Sequence, residues 1–323
     1  MSPRIAFALA AAALLNTAAC SDAQDSEPLP EEIAGTLHEF TSDAAGFDTH
    51  SFYYDTGRQV VVFDAQFTED HARKLLAEIE ATTSSPIAYV VITHPNPDKF
   101  NGVGPLRAAG AKVVASEETA AAIPGVHAYK KGYFIGVGSF TEETYPPEAH
   151  VDLTFSGELD LALDGGARVE LATLEHSGVS TTQTVAHIPA IGALVVGDLV
   201  HHEAHAWLEG GIRDGQPDPD LAAWRLALDE LQGYPGTTVF GGRGKSAPLE
   251  IAVAAQQQYL LEMEQIVTDY VGALPDPADL SGPNAGAHYQ QITDLAVGAY
   301  PDHDLSYLIT YGVYGLVNAI AQQ

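Results

Sequence analysis

One stretch near residue 90 constrains the fold of this chain more than any other, because it places polar side chains where a buried strand ends. Residues 89–93 are rich in β-branched side chains and predict that strand. His94, Asn96 and Asp98 follow it, and a proline separates each from the next. Proline fixes φ and favours extended geometry in the residue before it, so we expect a stiff loop with its polar groups on one side. Metal and catalytic sites are commonly built in this way.

This loop and four later landmarks resemble the metallo-β-lactamase superfamily, whose signature is a His-x-His-x-Asp-His loop after a strand. The landmarks follow in the family's order: His176 in Glu-His-Ser-Gly, Asp198 in Val-Val-Gly-Asp, His205 in His-Ala-Trp-Leu, and Arg243 in Gly-Gly-Arg-Gly. The resemblance covers roughly residues 37–262. It implies an α/β (α+β) fold, an αββα sandwich with the site along one edge.

Three positions depart from the family pattern. Asn96 stands at the second histidine, Lys99 at the histidine after Asp98, and Arg243 at the last histidine, where the family has Gly-His-Gly. In the family, the positions of Asp98, Lys99 and Arg243 hold the second metal. A side-chain cation near 4 Å from a divalent ion costs on the order of 8 kcal/mol at an effective dielectric constant of 20, so we expect no second metal. We expect both cations to replace it, by pairing with Asp98 or by binding an anionic group of the substrate.

The first metal position keeps most of its expected residues. By the resemblance, His94, His176 and Asp198 would hold one divalent ion, zinc or ferrous iron. Asn96 would add a weak ligand or hydrogen-bond a metal-bound water. The segment of His205 resembles one that lies over the site in a hydrolase-like subgroup of the superfamily. By that resemblance, His205 would contact substrate, donate a proton or replace a ligand.

Three further polar residues border these landmarks. Asp64 ends a predicted strand at residues 59–64, and we expect it to support the site through hydrogen bonds rather than to bind a metal. His201 and His202 follow Asp198 closely, and we expect them to be an exposed loop pair.

The leading hypothesis is a hydrolase of a small ester, lactone or amide. One metal would lower the pKa of a bound water, and Asp98 would orient that water or accept its proton. Lys99 and Arg243 would hold a substrate carboxylate or the developing oxyanion. The alternatives are a metal-free member that only binds a ligand, and a mononuclear iron dioxygenase like the persulfide dioxygenase branch, which uses the same three metal positions.

Charge restricts the partners of this chain. Fourteen Lys and Arg residues against 43 Asp and Glu residues give a formal net charge of −29. Coulomb repulsion therefore argues against nucleic acid and anionic membrane surfaces as partners. A small-molecule substrate is expected, and the sequence leaves the oligomeric state open.

The first 20 residues predict an export signal. Arg4 supplies a positive charge, residues 5–15 are apolar but too short to span a bilayer, and small residues precede Cys20, the only cysteine. This pattern resembles bacterial lipoproteins, which implies a lipid anchor on Cys20 and a location in the cell envelope. Cleavage after Ala19, giving a soluble periplasmic protein, is the alternative.

The remaining pattern divides the chain into a linker and two regions. Residues 21–36 are acidic and proline-bearing, as in a tether, and residues 37–262 form the predicted sandwich. Within it we predict a short helix at 117–122, a hairpin of strands 151–163 and 167–174, and a helix at 221–231. Residues 263–323 form a helical extension that covers the sandwich or, as a second choice, makes a dimer interface.

Overall fold

The computed structural model of the chain describes residues 34–322. The predicted signal segment at 1–20, with Cys20, and most of the linker at 21–36 lie outside the described residues. Within the described part of the chain, no helix is both long enough and apolar enough to cross a membrane.

The first sheet contains six strands in the same order in space as in sequence. Strands β1 to β3 pair antiparallel, and β3 to β6 pair parallel. Their bounds are Thr36–Thr41 (β1), His50–Asp55 (β2), Val60–Phe63 (β3), Ile87–Val91 (β4), Lys112–Ser116 (β5) and Leu153–Phe155 (β6).

The second sheet has the spatial order β14-β13-β10-β9-β8-β7. Its bounds are Glu158–Ala162 (β7), Arg168–Thr173 (β8), Thr184–Ile188 (β9), Ala193–His202 (β10), Thr238–Gly244 (β13) and Ala247–Pro248 (β14). Strands Gly211–Arg213 (β11) and Gln216–Asp218 (β12) form a separate ribbon. Strand β10 pairs parallel with β13, and this pairing brings the segments of Asp198 and Arg243 side by side.

Helices cover the outer faces of both sheets. Their bounds are Glu69–Thr82 (α1), Pro97–Phe100 (α2), Val103–Ala108 (α3), Glu117–Gly136 (α4), Leu221–Leu231 (α5), Leu249–Gly272 (α6), Ala285–Ala299 (α7) and Tyr307–Ala321 (α8), with 3-10 turns at Ala44–Gly46, Pro189–Ile191 and Pro277–Ser281. Helix α1 begins where Thr68 accepts a hydrogen bond from the backbone N–H of His71, an N-cap that satisfies a free donor.

Three buried layers hold the sandwich together. Side chains of both sheets, such as Phe63, Val91 and Val195, meet in the central layer. A second layer packs α1, α3 and α4 on the first sheet, and a third packs α5 to α8 on the second sheet. The predicted αββα architecture with a C-terminal helical extension is therefore confirmed.

Two local predictions were wrong. The helix predicted at 117–122 extends to Gly136 and continues through Pro124, because Ile123, Val126 and Phe134 recur at helical spacing and are buried. The strand predicted at 151–163 is two strands, and they belong to different sheets. Gly157, at φ +70°, turns the chain between them.

The C-terminal extension does more than cover the second sheet. Helix α6 runs unbroken through the predicted boundary at 262/263. Helix α8 returns to the strand ends of the sandwich, where Tyr307 donates to Asp48 Oδ2 at 2.6 Å and Tyr314 hydrogen-bonds Tyr129 at 3.1 Å. The extension therefore borders the edge that carries the candidate site.

Candidate functional site

Lys99 joins the two site aspartates. Its Nζ lies 2.8 Å from Asp98 Oδ2 and 2.8 Å from Asp198 Oδ1, and the side chain is fully buried. It reaches this position because α2, only one turn long, follows the loop at the end of β4. The ammonium group thus lies between two carboxylates that come from different sheets.

Arg243 closes the same network from the second sheet. Its Nη1 donates to Asp198 Oδ2 at 2.5 Å, and its Nη2 donates to Asp98 Oδ2 at 3.0 Å and to Thr49 Oγ1 at 2.9 Å. Its Nε donates to the carbonyl oxygen of Phe47 at 2.8 Å. Of the two roles that the sequence left open for Lys99 and Arg243, the structure shows pairing with Asp98.

The four groups hold one another in their charged forms. Burial alone would raise the pKa of Asp98, but Lys99 and Arg243 lower it to about 2. Burial opposes ionisation of Asp198 too, yet Arg243 and Lys99 keep its pKa well below the ordinary range. Burial likewise disfavours the charged form of Lys99, but Asp198 and Asp98 raise its pKa. Two cations and two anions therefore form a buried network of zero net charge.

Gly242 lets the arginine strand approach this network. A Cβ atom on Gly242 would collide with Asp198 Oδ1 and crowd Lys99 Nζ. The glycine next to Arg243 is therefore a packing requirement of the ion pairs themselves.

His94 lies beside the network without joining it. Its Nδ1 lies 2.9 Å from Thr93 Oγ1, while its Nε2 is buried, has no hydrogen-bond partner among the described residues, and lies 3.7 Å from Asp198 Oδ2. Burial lowers the pKa of His94 to about 4, so the imidazole is neutral near pH 7.

Asp64 supports His94 through Thr93, in agreement with its predicted role. The carboxylate accepts hydrogen bonds from the Thr93 backbone N–H at 2.9 Å and from the Thr93 hydroxyl at 2.9 and 3.0 Å. Burial raises the pKa of Asp64 to about 7, although Lys99 acts to lower it. Asp64 also has a positive φ of 65°, which is unusual outside glycine and marks a sharply turned strand end.

His176 is paired with a residue outside the predicted ligand set. Its Nδ1 lies 2.5 Å from Glu230 Oε1 of α5, and Glu230 also accepts the backbone N–H groups of Glu175 and His176. The side chain of His176 is 39% exposed, in contrast to fully buried His94.

The predicted ligands do not fit a metal ion as they are arranged. Both oxygens of Asp198 accept from Lys99 and Arg243, and His176 is paired with Glu230. Across residues 34–322, no group of three or more His, Cys, Asp or Glu side chains is placed to hold a metal ion. Asn96 lines the cavity over the network but caps no helix N–H with its side chain.

Neither His201 nor His202 is exposed, which corrects the expectation of an exposed pair. His201 is 2% exposed, and its backbone N–H donates to Gln256 Oε1 of α6 at 2.8 Å, while His202 is half-buried. His205 is fully buried, with Nδ1 at 3.2 Å from the hydroxyl of Tyr259. Helix α6 and the segment before α8 hold this loop, and the sequence contains no local signal of that contact.

Two adjoining cavities lie over the network. The inner cavity, about 30 Å³, is bordered by Asp98, Asp198 and Arg243 and has room for one or two water molecules. The outer cavity, about 520 Å³, is called here the aromatic cleft. It is defined by Phe47, Phe67, Phe134, Phe140, Trp207 and Tyr311. Four of these six side chains also line the inner cavity, so the two spaces adjoin.

A second buried ion pair, which sequence reasoning missed, stands at the wall of the inner cavity. Lys130 of α4 pairs with Glu209, and its Nζ lies 5.1 Å from the centre of the Trp207 ring. Glu209 also accepts a hydrogen bond from Trp207 Nε1 at 2.8 Å. The only sequence signal was Trp207 itself, within the His-Ala-Trp-Leu segment.

Comparison with known proteins agrees with this architecture. A family model described as "Metallo-beta-lactamase superfamily" matches residues 44–243, more than half of the chain. A metallo-β-lactamase from Pontibacter korlensis is similar with a TM-score of 0.52 and 23% identity, over 70% of this chain and 94% of that one. The structure of TMB-1 is similar with a TM-score of 0.50 and 19% identity, over 72% of this chain and 96% of that one. Both structural similarities concern the fold.

Proposed function

The chain belongs to the metallo-β-lactamase superfamily, and from that premise we propose that it is a member in which Lys99 and Arg243 replace the metals and the pocket binds a small molecule. The observation that carries this proposal is the position of Lys99 Nζ, 2.8 Å from each of Asp98 and Asp198. These aspartates match the positions that hold metal in the family, and their negative charge is neutralised here by side chains.

The energetics of the network favour side-chain cations over a metal. A divalent ion near Asp198 would have to displace two buried cations or lie beside them. Moving a buried charge away from its partner costs several kcal/mol, and leaving it near the metal adds Coulomb repulsion. The side chains of the pocket therefore stay ionised without a metal, their charges cancel, and the pocket stays rigid.

Members of this superfamily are mostly hydrolases, and a one-metal hydrolase of an ester, lactone or amide is the second candidate. The observation in its favour is His94 Nε2, a buried nitrogen without a partner, 3.7 Å from Asp198 Oδ2. To use it with His176 and Asp198, the chain would have to release His176 from Glu230 and Asp198 from both cations. An iron dioxygenase would need the same three ligands and the same rearrangement.

Metal analysis of the full chain, purified without chelators, tests the proposal. We expect elemental mass spectrometry to find far less than one zinc or iron ion per chain. The same result is expected after zinc is added and the excess is removed by gel filtration. The double variant Lys99→His with Arg243→His restores the two histidines of the family's second metal position and is the positive control, because it should retain zinc. Zinc near one per wild-type chain would support the hydrolase instead, and iron would support the dioxygenase.

A further inference from the structure

Asp98 keeps one acceptor open toward the ligand. Its hydrogen bonds from Thr49 and Arg243 and its ion pair with Lys99 all use Oδ2. Oδ1 accepts no hydrogen bond from the residues that the structure describes, and Asp98 borders the inner cavity while only 7% exposed. A carboxylate oxygen that reaches the cavity without a protein donor can accept an N–H or O–H group of a ligand.

The cations of the site, unlike Asp98 Oδ1, already have partners and are not available to a ligand. Lys99 is fully buried, and its ammonium group contacts Asp98 and Asp198. The guanidinium of Arg243 is engaged by Asp198, Asp98 and two other oxygens. Lys130 is neutralised by Glu209. An anionic ligand would therefore find no cation at this site without a carboxylate partner.

The aromatic cleft offers the surface that an organic cation prefers. The ring centres of Phe47 and Phe67 are 5.0 Å apart at 73°, those of Phe47 and Trp207 are 6.0 Å apart at 76°, and those of Phe67 and Phe140 are 5.7 Å apart at 85°. Steep angles of this kind present ring faces in several directions, and ring faces attract cations. The position of Lys130 over Trp207 shows that this wall already stabilises one cation.

The net charge of the chain also favours a cationic ligand over an anionic one. With a formal net charge of −29, the chain attracts cations from solution and repels anions. The cleft volume of about 520 Å³ is in the range of small-molecule sites.

We propose that the aromatic cleft binds an organic amine, with its apolar body among the rings and its ammonium N–H groups directed to Asp98 Oδ1. This inference rests on the proposed metal-free pocket and names the chemical class of its ligand. It replaces the expectation of an anionic substrate, because the structure leaves an acceptor open where that expectation required a free cation.

Calorimetric titration of the full chain with four matched probes tests the inference. The probes are 2-phenylethylamine, its trimethylammonium analogue, 2-phenylethanol and 3-phenylpropanoate. We expect the amine to bind about tenfold or more tightly than the alcohol, the quaternary ion to bind with intermediate affinity, and the carboxylate to bind most weakly. The quaternary ion keeps the charge but has no N–H, so it isolates the contribution of Asp98.

Variants locate the binding site. Tyr311→Ala removes a half-exposed ring at the rim of the cleft and should weaken amine binding about threefold to tenfold. Leu295→Ala removes an equally exposed apolar side chain of α7 and should leave amine binding unchanged. Both residues lie outside the ion-pair network, so neither change should disturb it.

Each other outcome overturns a defined part of the inference. Tighter binding of the carboxylate, or no binding of any probe at millimolar concentration, overturns it entirely. Equal binding of the amine and the quaternary ion overturns the role of Asp98 Oδ1. Metal analysis on the same samples separates the two proposals: if amine binding fails in metal-free protein, only this inference fails, whereas stoichiometric zinc contradicts the proposed function itself.

Discussion

At the scale of single residues, the chemistry of the site is decided by Lys99 and Arg243, two cations that stand where the family has metal-binding histidines. A histidine at either position would offer a lone pair to a metal, whereas an ammonium or guanidinium group only donates. Since two such cations meet two buried carboxylates, the charges cancel without a metal. The cost of breaking this network should exceed that of any exposed ion pair in the chain.

The first prediction concerns Lys99→Met, which keeps most of the volume and removes the charge. Asp98 and Asp198 would then share Arg243 alone, and we expect a loss of about 3–5 kcal/mol in the free energy of unfolding, measured by urea denaturation. Lys74→Met is the control, because Lys74 pairs with Asp43 at the exposed surface and its loss should cost far less. Equal losses in both variants would contradict the buried-network account.

The second prediction concerns Asp64 and pH. Its folded-state pKa is raised from 3.8 to about 7 by burial. Between these two pH values, the folded protein holds a proton on Asp64 that the unfolded chain has released. The stabilisation is complete below pH 3.8 and is lost as pH rises through about 7.

Asp64→Asn removes this titration while keeping the side-chain shape. The unfolding free energy of the wild type, relative to Asp64→Asn, should fall by up to about 1.4 kcal/mol per pH unit across that window. Urea denaturation at several pH values from 5 to 8 measures the slope. A constant difference between the two proteins would show that Asp64 is ionised throughout.

At the scale of elements, helix α8 shapes the site from a distance in sequence. Gly315 lies against the backbone of Glu209, and Gly312 lies against Trp207. These close approaches set the position of the loop after β10, which carries both the Trp207 wall and the partner of Lys130. The third-layer helices are therefore part of the pocket's construction.

The third prediction tests this contact with two glycine substitutions. Gly315→Ala places a Cβ against the Glu209 backbone, and we expect a loss of about 1–3 kcal/mol in unfolding free energy together with weaker binding in the aromatic cleft. Gly298→Ala in α7 meets no atom within 4 Å and should be neutral or slightly stabilising, since alanine favours helix. Unchanged stability in Gly315→Ala would mean that α8 is not tightly packed on the loop.

The bounds of helices and strands were predicted correctly where a local sequence pattern sets them. They were predicted wrongly where contacts with distant residues set them. Helix α5 has the predicted bounds of 221 and 231, because Trp224, Leu228 and Leu231 recur at helical spacing. The β7–β8 pairing follows from the turn at residues 164–166. Helix α4 was predicted too short, since burial of its later turns against the sandwich outweighs the proline inside it.

At the scale of the whole molecule, two sheets contribute opposite halves of one site. Asp98 and Lys99 come from the loop of the first sheet, and Asp198 and Arg243 from parallel strands of the second. The network therefore ties the sheets together at one edge, and the extension closes over the same edge. Ligand binding at this edge should stabilise the sandwich as a unit.

The sequence by itself determined the fold class, the strand that delivers His94 and Asp98, and the replacement of three family residues by Asn96, Lys99 and Arg243. The strand follows from residue type and periodicity, which act over a few positions, whereas the fold class and the three replacements follow from the resemblance of ordered motifs to the family. Only the tertiary structure decided that both cations pair with the aspartates, that His176 turns to Glu230, and that rings from five separate segments form one cleft. Such contacts depend on how distant elements pack, and packing is decided by the shape and charge of every side chain that meets there.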